Sequence, residues 1–430
     1  MPQEPLLPQH PQRALLHNEI HARPPESLGP AVAITHVVMW ADAALREASR
    51  VHLARLLRDQ HQALPDAHST HLRADLGAFR LRWEMHTEFV TWTFSVPLTG
   101  EARKQGMPAP ATAAVPADWL SQLPGQCLCQ LQLWVLPTRE FDEPQQLSQL
   151  LREDSLVASS VAHGHGEVFT DFCIHADGSS RMVLLAGGMA PRRLGRLVQR
   201  LLEIETYRMA GLLGLPVARD AAAVLAQAEQ ELAALADAIR SADRDMEPEL
   251  LDRLTRLAGQ VESQYAATHA RFSASSAYFE LVDRRIRDIA ESRLGGMQTI
   301  GEFMDRRLSP ARSTCEWVAR RQNALSQRVS RISNLLRTRV EIEQQQSSQA
   351  LLATMNQRQD LQLKLQSTVE GLSVAAITYY IVGLVSYLAK GAQKLGWPWS
   401  PESTAAVAIP LVAGAVWWSL RRLHQRMFKH

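Results

Sequence analysis

Histidine and glutamate alternate in two separate stretches of the N-terminal half of the chain. The residues are His17, Glu19 and His21 in HNEIH, and Glu84, His86 and Glu88 in EMHTE. Side chains two residues apart lie on the same face of an extended strand. Imidazole and carboxylate ligands placed this way could hold a divalent metal ion such as Zn²⁺, Mn²⁺ or Fe²⁺ if the two stretches meet. The alternative is a buried network of ion pairs and hydrogen bonds at a strand edge.

Weaker signals occur in two other places. His163, His165 and Glu167 alternate in HGHGE, a pattern that is also typical of an ordinary glycine-rich turn. Glu205 and Arg208 are spaced to pair along a helix. The sequence contains no GxSxG turn for a nucleophilic serine and no GxxxxGK[ST] or GxGxxG phosphate loop. It therefore indicates a metal site or a structural network, and supports no other reaction.

The segments around the first clusters predict an α/β domain. An apolar run predicts a strand over Ala31–Trp40 that is buried on both faces. Alternating residues predict a half-buried strand or a hairpin over Phe79–Val96, and leucine spacing predicts an amphipathic helix over Ala41–Gln60. With further short strands before Pro191, we expect residues 14–190 to form an antiparallel sheet of six or seven strands with helices.

Helical spacing replaces strand alternation after Pro191. Helices are predicted over Pro191–Pro216, over Ala221–Ala242 and from Pro248 to Leu294. The pattern resumes after Gly295–Gly296, is interrupted at Pro310, and then contains no glycine or proline until Gly371.

A short coiled-coil seam is predicted within this last stretch. Leu325, Val329, Ile332 and Leu336 follow one another at intervals of four, three and four residues, as in a heptad repeat. An unbroken helix from Ala311 into the apolar run that follows this stretch would be about 120 Å long at 1.5 Å per residue. Such a helix needs support from other helices or other subunits, so we predict a helical and coiled-coil stalk over residues 191–371.

Two uncharged apolar runs follow the stalk. Leu372–Ala389 and Ser403–Leu420 each contain 18 residues and are separated by 13 residues. Eighteen residues are close to the shortest helix that crosses the hydrocarbon core of a bilayer. The sequence therefore predicts a hairpin of two transmembrane helices over residues 372–420, with the bilayer as a partner of the chain.

Polar and aromatic residues mark positions along and around this hairpin. Hydroxyl side chains in the first run could line a pore, and tryptophans and arginines at the ends of the runs are typical of the membrane interface. The pore candidates are Ser373, Thr378, Tyr380 and Ser386, and the interface candidates are Trp397, Trp399, Trp417, Trp418, Arg421 and Arg422. Four basic residues in the tail 421–430 against two in the connection predict that both termini are cytoplasmic.

Composition limits the remaining possibilities. A net charge of +2 excludes strong field-driven binding to nucleic acid. The spacing of Cys127, Cys129, Cys173 and Cys315 fits neither a disulfide framework nor a zinc ribbon, so reduced thiols are expected. Residues 1–13 are rich in proline and lack the apolar core of a signal peptide, so they are predicted to be disordered.

Several stretches resemble one known family closely. They are HNEIHARPPE, LRWEMHTEF, GRLVQRLLEIETYRM, GEFMDRRLSPARSTCE, SNLLRTRVEIE and LQLKLQSTVEGLSVAAITYY. Together they resemble the bacterial family of membrane-anchored proteins catalogued as domain of unknown function 3422, from about Leu15 to Arg422. The resemblance implies a membrane anchor and brings no activity with it.

The predicted layout is also similar to that of CorA-type magnesium channels. A cytoplasmic α/β domain, a helical layer, a long helix entering the membrane, a second span and a basic tail follow in the same order. Those channels carry a Gly-Met-Asn motif at the outer end of the first span, whereas this chain reads Tyr387-Leu388-Ala389-Lys390-Gly391 there. The resemblance implies a channel-like shape without the selectivity element.

Three functions follow as hypotheses. The first is a non-enzymatic, membrane-anchored homo-oligomer of the bacterial inner membrane with a large cytoplasmic domain. The second is a CorA-like divalent-cation channel or transporter with an altered filter. The third is a membrane-tethered metal-dependent enzyme that uses the histidine and glutamate clusters, with a divalent metal ion as its cofactor.

Overall fold

The computed structural model describes residues 7, 9–13, 16–17, 25–99, 108–138, 143–241, 246–393, 396 and 398–427. It divides into two compact units. The first comprises Met1–Ala242 and Asp252–Ile332, and the second comprises Asp243–Leu251 and Ser333–His430. The helical residues after the α/β domain, as far as Ile332 and apart from 243–251, therefore belong to the same unit as that domain. About half of residues 1–13, for which disorder is predicted, lie outside the described residues.

One mixed sheet of nine strands organises the first unit. The strands are β1 Val32–Trp40, β2 His71–Asp75, β3 Arg80–Met85, β4 Phe89–Pro97, β5 Gln126–Pro137, β6 Val157–Val161, β7 Gly166–Thr170, β8 Ser180–Ala186 and β9 Ser292–Arg293. Their order across the sheet is β2-β3-β4-β1-β5-β8-β7-β6-β9. The pair β5 and β8 is parallel and the other pairs are antiparallel.

Nine α-helices accompany the sheet in the described part of the chain. They are α1 Ala43–Asp59, α2 Ala117–Ser121, α3 Glu143–Leu150, α4 Pro191–Leu212, α5 Gly214–Ser241, α6 Glu247–Asp288, α7 Ile300–Arg307, α8 Ser309–Gln393 and α9 Pro401–Met427. The mixed α/β architecture followed by long helices is confirmed. The helix predicted from Ala311 into the first apolar run is also continuous, since α8 has 85 residues.

Local chemistry explains several of these boundaries. Asp42 caps α1 by accepting a hydrogen bond from the backbone nitrogen of Leu45 at 2.8 Å. Pro191 begins α4, where its missing N–H would have no partner in any case. Thr299 and Glu302 form a capping box at the start of α7. These residues fix where the helices start relative to the sheet.

The sheet is buried on both faces. On one face, Trp83, Trp92 and Phe94 pack in a layer with Leu53 and Leu57 of α1. On the other face, apolar residues of β1, β5 and β8 pack against α4, α6 and α7. Eight of the nine residues of β1 are buried, as the apolar run predicts for a central strand.

The second unit contains most of α8 and all of the described part of α9. Arg339 of α8 pairs with Glu247 at the start of α6, with 2.5 Å between Nη2 and Oε1. Of the predicted seam, Leu336 belongs to this unit and Leu325 and Val329 belong to the first, and all three are buried. That these residues form a coiled coil stays a prediction.

Candidate functional site

Polar side chains interrupt the apolar surface of the sheet on the face that α4 covers. Arg82 and Glu84 lie two residues apart on β3, and the register places Thr93 opposite Arg82 and Thr91 opposite Glu84. His36 on β1 lies opposite Thr93 in turn. Directly opposed residues share a face of an antiparallel pair. We call these five residues the polar strip.

His36 is a buried member of the polar strip with a partner at each ring nitrogen. Its Nδ1 lies 2.8 Å from the hydroxyl of Thr93, and its Nε2 lies 2.9 Å from the hydroxyl of Thr206 on α4. The Thr206 hydroxyl donates its own hydrogen to the carbonyl of Leu202 at 2.9 Å. It must therefore accept from His36, which assigns the proton of the neutral ring to Nε2 and leaves Nδ1 to accept from Thr93.

This environment keeps His36 neutral. Removal from water lowers the pKa of His36 from 6.5 to about 3; the Glu84 carboxylate opposes the shift, and Arg82 and His86 add to it. Both ring nitrogens already have partners. The ring consequently joins the sheet to α4, a role that needs the neutral form.

The glutamates of EMHTE are each held by a cation. Arg82 binds Glu84, with 2.7 Å between Nη2 and Oε1, and the two side chains are 11% and 12% exposed. Glu88, in the turn between β3 and β4, accepts from Arg271 and from the hydroxyl of Tyr278 at 2.8 Å each. Burial and the hydrogen bond to Glu88 raise the pKa of Tyr278. Glu84 thus acts within the sheet, whereas Glu88 ties the sheet to α6.

The structure describes only part of the predicted metal cluster. His86 stacks on Phe89 with 4.5 Å between ring centroids, and His17 is exposed. Glu19 and His21 lie outside the described residues. Within the described ranges, no group of three or more histidine, cysteine, aspartate or glutamate side chains is placed to hold a metal ion. A metal site that includes the N-terminal stretch stays a prediction.

The HGHGE stretch forms a tight turn between β6 and β7. Ala162, His163 and Gly164 all have positive φ, at 53°, 58° and 83°. The connection has four residues, 162–165, between the paired residues Val161 and Gly166, and glycine adopts a positive φ without steric cost. The turn accounts for the glycine at position 164 without any ligand.

A second buried ion pair lies on α4. Glu205 binds Arg208 through two hydrogen bonds of 2.6 and 2.9 Å, and it also accepts from the hydroxyl of Ser180 on β8 at 3.1 Å. Burial works against the charge of Arg208, but the neighbouring Glu205 carboxylate raises the pKa of Arg208 above its usual value. The spacing along the helix predicts the pair, and only the fold reveals that it is buried against β8.

The apolar end of the chain forms a different kind of surface. Three helical segments are long and apolar enough to cross a membrane: 191–241, 309–392 and 401–422. In the most apolar window of the second segment 11% of the residues are buried, and in that of the third none are. The first segment differs, since Leu201 and Ile204 of α4 are fully buried in the protein core.

The predicted pore-lining hydroxyls bond to their own helix. Ser373, Thr378 and Ser386 donate to the carbonyls four residues earlier, at 2.8, 2.7 and 3.0 Å. Tyr380 is exposed. Residues of α8 around Thr378 and Ser386 form an open pocket of about 720 Å³ with Ile409 of α9. That these residues line a pore stays a prediction.

Aromatic residues and cations pair at the ends of the apolar segments. Arg421 lies over the ring of Trp417 and Arg422 over that of Trp418, each 5.0 Å from the centroid. Lys390 lies 5.7 Å from the ring of Tyr387. Trp399 is exposed, and Trp397 lies outside the described residues. Paired aromatic and basic side chains of this kind suit the boundary between lipid and water.

Comparison with known proteins identifies a family for this chain. The family model described as Protein of unknown function (DUF3422) covers residues 8–427, nearly the whole chain. No curated protein matches, and no solved structure matches.

Proposed function

We propose that this chain, which belongs to the DUF3422 family, is a non-enzymatic integral protein of the bacterial inner membrane. In this proposal α8 and α9 cross the bilayer as a hairpin of residues 372–389 and 403–420. The α/β domain stays on the cytoplasmic side and acts as a scaffold in a homo-oligomer.

One observation carries the proposal. The apolar residues of both segments face outward rather than into a protein core: Leu372 is 74% exposed, Tyr387 76% and Leu411 69%. Transfer of apolar surface out of water is favourable by about 25 cal/mol per Å². A lipid environment would account for an exposed apolar surface of this length. The aromatic and basic pairs at its ends support the same proposal.

The first apolar segment, 191–241, is not part of the proposed anchor. Its helix α4 already packs against the sheet through Leu201 and Ile204, and it carries the buried pair of Glu205 and Arg208. A charged pair bonded to a strand hydroxyl belongs in the protein interior. Two spans therefore place both termini on one side, and the basic tail favours the cytoplasm.

A CorA-like channel is the second candidate. A single helix, α8, runs without interruption from Ser309 to Gln393 and includes the first apolar run, as the layout of those channels requires. In this candidate Ser373, Thr378, Tyr380 and Ser386 would approach a central axis between several copies. Lys390 disfavours it, because a positive charge at the outer mouth repels cations.

Extraction of the full chain from membranes tests the anchor. We expect the protein to sediment with the membrane fraction and to remain there after washing at alkaline pH and high salt, which releases peripheral proteins. Solubility of the intact chain without detergent would overturn the proposal. The purified protein in detergent then separates the two candidates, because a ring of five copies around an axis favours the channel.

A further inference from the structure

An exposed apolar stripe runs along α8 and ends at Leu372, the first residue of the first apolar run. Leu351, Met355, Leu365, Val369 and Leu372 are between 58% and 74% exposed. With positions 358 and 362, their spacing is four, three, four, three, four and three residues. This is the a and d spacing of a heptad repeat, which keeps one face of a helix turned toward a partner helix.

The residues on either side of the stripe carry no charge, which leaves the stripe accessible to an identical helix. Asp360, Lys364 and Glu370 lie on other faces of α8, given 100° of rotation per residue. The positions that flank the stripe are uncharged: Leu352, Thr354, Gln359, Leu361, Gln366 and Thr368. In a parallel, in-register pair each g residue lies near the e residue of the following heptad on the partner helix. Because the residues at both positions are uncharged, no like charges meet there. Arg358 is the single charge on the stripe, and it would meet its own copy across the seam, so this one layer opposes the pairing.

Lipid cannot cover this stripe if α8 enters the bilayer as proposed. Leu351 precedes Leu372 by 21 residues, so a continuous helix separates them by about 32 Å at 1.5 Å per residue. The polar interface adds only about 5–8 Å on each side of the hydrocarbon core. Most of the stripe therefore lies in water, where an exposed apolar row needs a protein partner. No described segment of the same chain covers it.

We propose that the occupant is the same stripe of a second copy of this chain, in a parallel two-stranded coiled coil over residues 351–372. The inference rests on the proposed membrane anchor, since copies that enter one membrane from the same side are necessarily parallel. Leucine at the d positions 351, 365 and 372 with Val369 at an a position favours two strands. Gln362, also at an a position, meets its counterpart and fixes the register.

The same spacing continues only in part into the first apolar run. Ala376 and Tyr379 follow Leu372 at intervals of four and three residues and are exposed, whereas Gly383, at the next position, is partly buried. Tyr379 and Gly383 also line the open pocket that α8 forms with Ile409 of α9. The proposed pairing is therefore confined to residues 351–372.

Photo-crosslinking in native membranes tests the pairing. A photoreactive phenylalanine analogue is placed singly in the full chain at 355, 365 or 369 on the stripe, and at 353, 360 or 367 on the opposite face. We expect a product of twice the chain mass from the stripe positions and at least tenfold less from the opposite face. Equal yields on both faces, or products with a different protein, would overturn the proposal.

Membrane fractionation of the same samples separates this inference from the anchor. Chains that sediment with membranes but give no stripe-specific product contradict the pairing and leave the anchor intact. Chains recovered in the soluble fraction contradict the anchor on which the pairing rests.

A matched pair of variants gives a second readout. Leu365→Lys puts a charge at a d position, and Ser367→Lys puts the same charge two residues away on the opposite face. We expect Leu365→Lys to halve the mass of the protein measured by light scattering in mild detergent, and Ser367→Lys to leave the dimer mass unchanged. An unchanged mass for Leu365→Lys, or a parent mass of five copies, would overturn the two-stranded pairing.

Discussion

The pH dependence of stability should change when His36 is replaced by glutamine. His36 is fully buried, and its pKa falls from 6.5 to about 3 in the folded protein. The folded state therefore holds the neutral ring while the unfolded state takes up a proton below pH 6.5. The stability that depends on the neutral ring is fully present above pH 6.5 and is lost progressively as the pH falls toward 3.

The size of the effect follows from the two pKa values. At pH 5, protonation of a group with a pKa of 6.5 increases the statistical weight of the unfolded state by a factor of about 32. The folded state, in which His36 stays almost entirely unprotonated, is hardly affected. The loss between pH 8 and pH 5 is about 2 kcal/mol, since one pKa unit corresponds to about 1.4 kcal/mol. Glutamine has no titrating group, so the His36→Gln variant should lack this component at every pH.

Urea unfolding of the full chain in mild detergent measures this pH-dependent part of the unfolding free energy. Tryptophan fluorescence suits the assay, since Trp83 and Trp92 are fully buried in the layer on the opposite face of the sheet. We expect the difference in unfolding free energy between the parent and His36→Gln to shrink by about 2 kcal/mol from pH 8 to pH 5. His68→Gln, at an exposed position, is the matched control. A difference that stays constant over this range would refute the assigned neutral state of His36.

Two further pairs of substitutions test contacts that position the elements around the polar strip. Gly195→Ala on α4 would place a methyl group 1.6 Å from the backbone oxygen of Glu26, so we expect a loss of about 1–3 kcal/mol in thermal or urea unfolding. Gly259→Ala on α6, with open space around it, should instead stabilise by about 0.5–1 kcal/mol; equal effects would contradict the described path of the chain at Glu26. Glu205→Leu leaves Arg208 buried without its partner and should cost about 3–5 kcal/mol. The double variant with Arg208→Met should recover much of that loss in the same urea assay, and a strictly additive result would contradict the pairing.

The parts of the fold that depend on local sequence pattern could be predicted from the sequence. The apolar run at β1, the start of α4 at Pro191 and the uninterrupted α8 all follow from spacing and from the positions of proline and glycine. The parallel pair of β5 and β8 did not follow, because alternation along a strand does not show its direction. Strands as short as β2 and β9 carry too few residues for a pattern.

The polar strip was only partly predictable. Arg82 and Glu84 lie two residues apart on a predicted strand, so their shared face could be expected. His36 was missed, although a lone histidine within a run predicted to be buried on both faces must find hydrogen-bond partners. Its partner Thr206 lies 170 residues away in the sequence. A contact of that separation depends on how α4 packs on the sheet.

The membrane anchor is tested most directly by labelling cysteines from each side of the membrane. Cys127 of the first unit is exposed, and Ser400→Cys introduces a thiol in the connection between the two proposed spans. With an impermeant maleimide, we predict that spheroplasts label only the introduced cysteine and that inside-out vesicles label Cys127. Labelling of Cys127 in intact spheroplasts, or of both positions from the same side, would contradict a two-helix hairpin with a cytoplasmic domain.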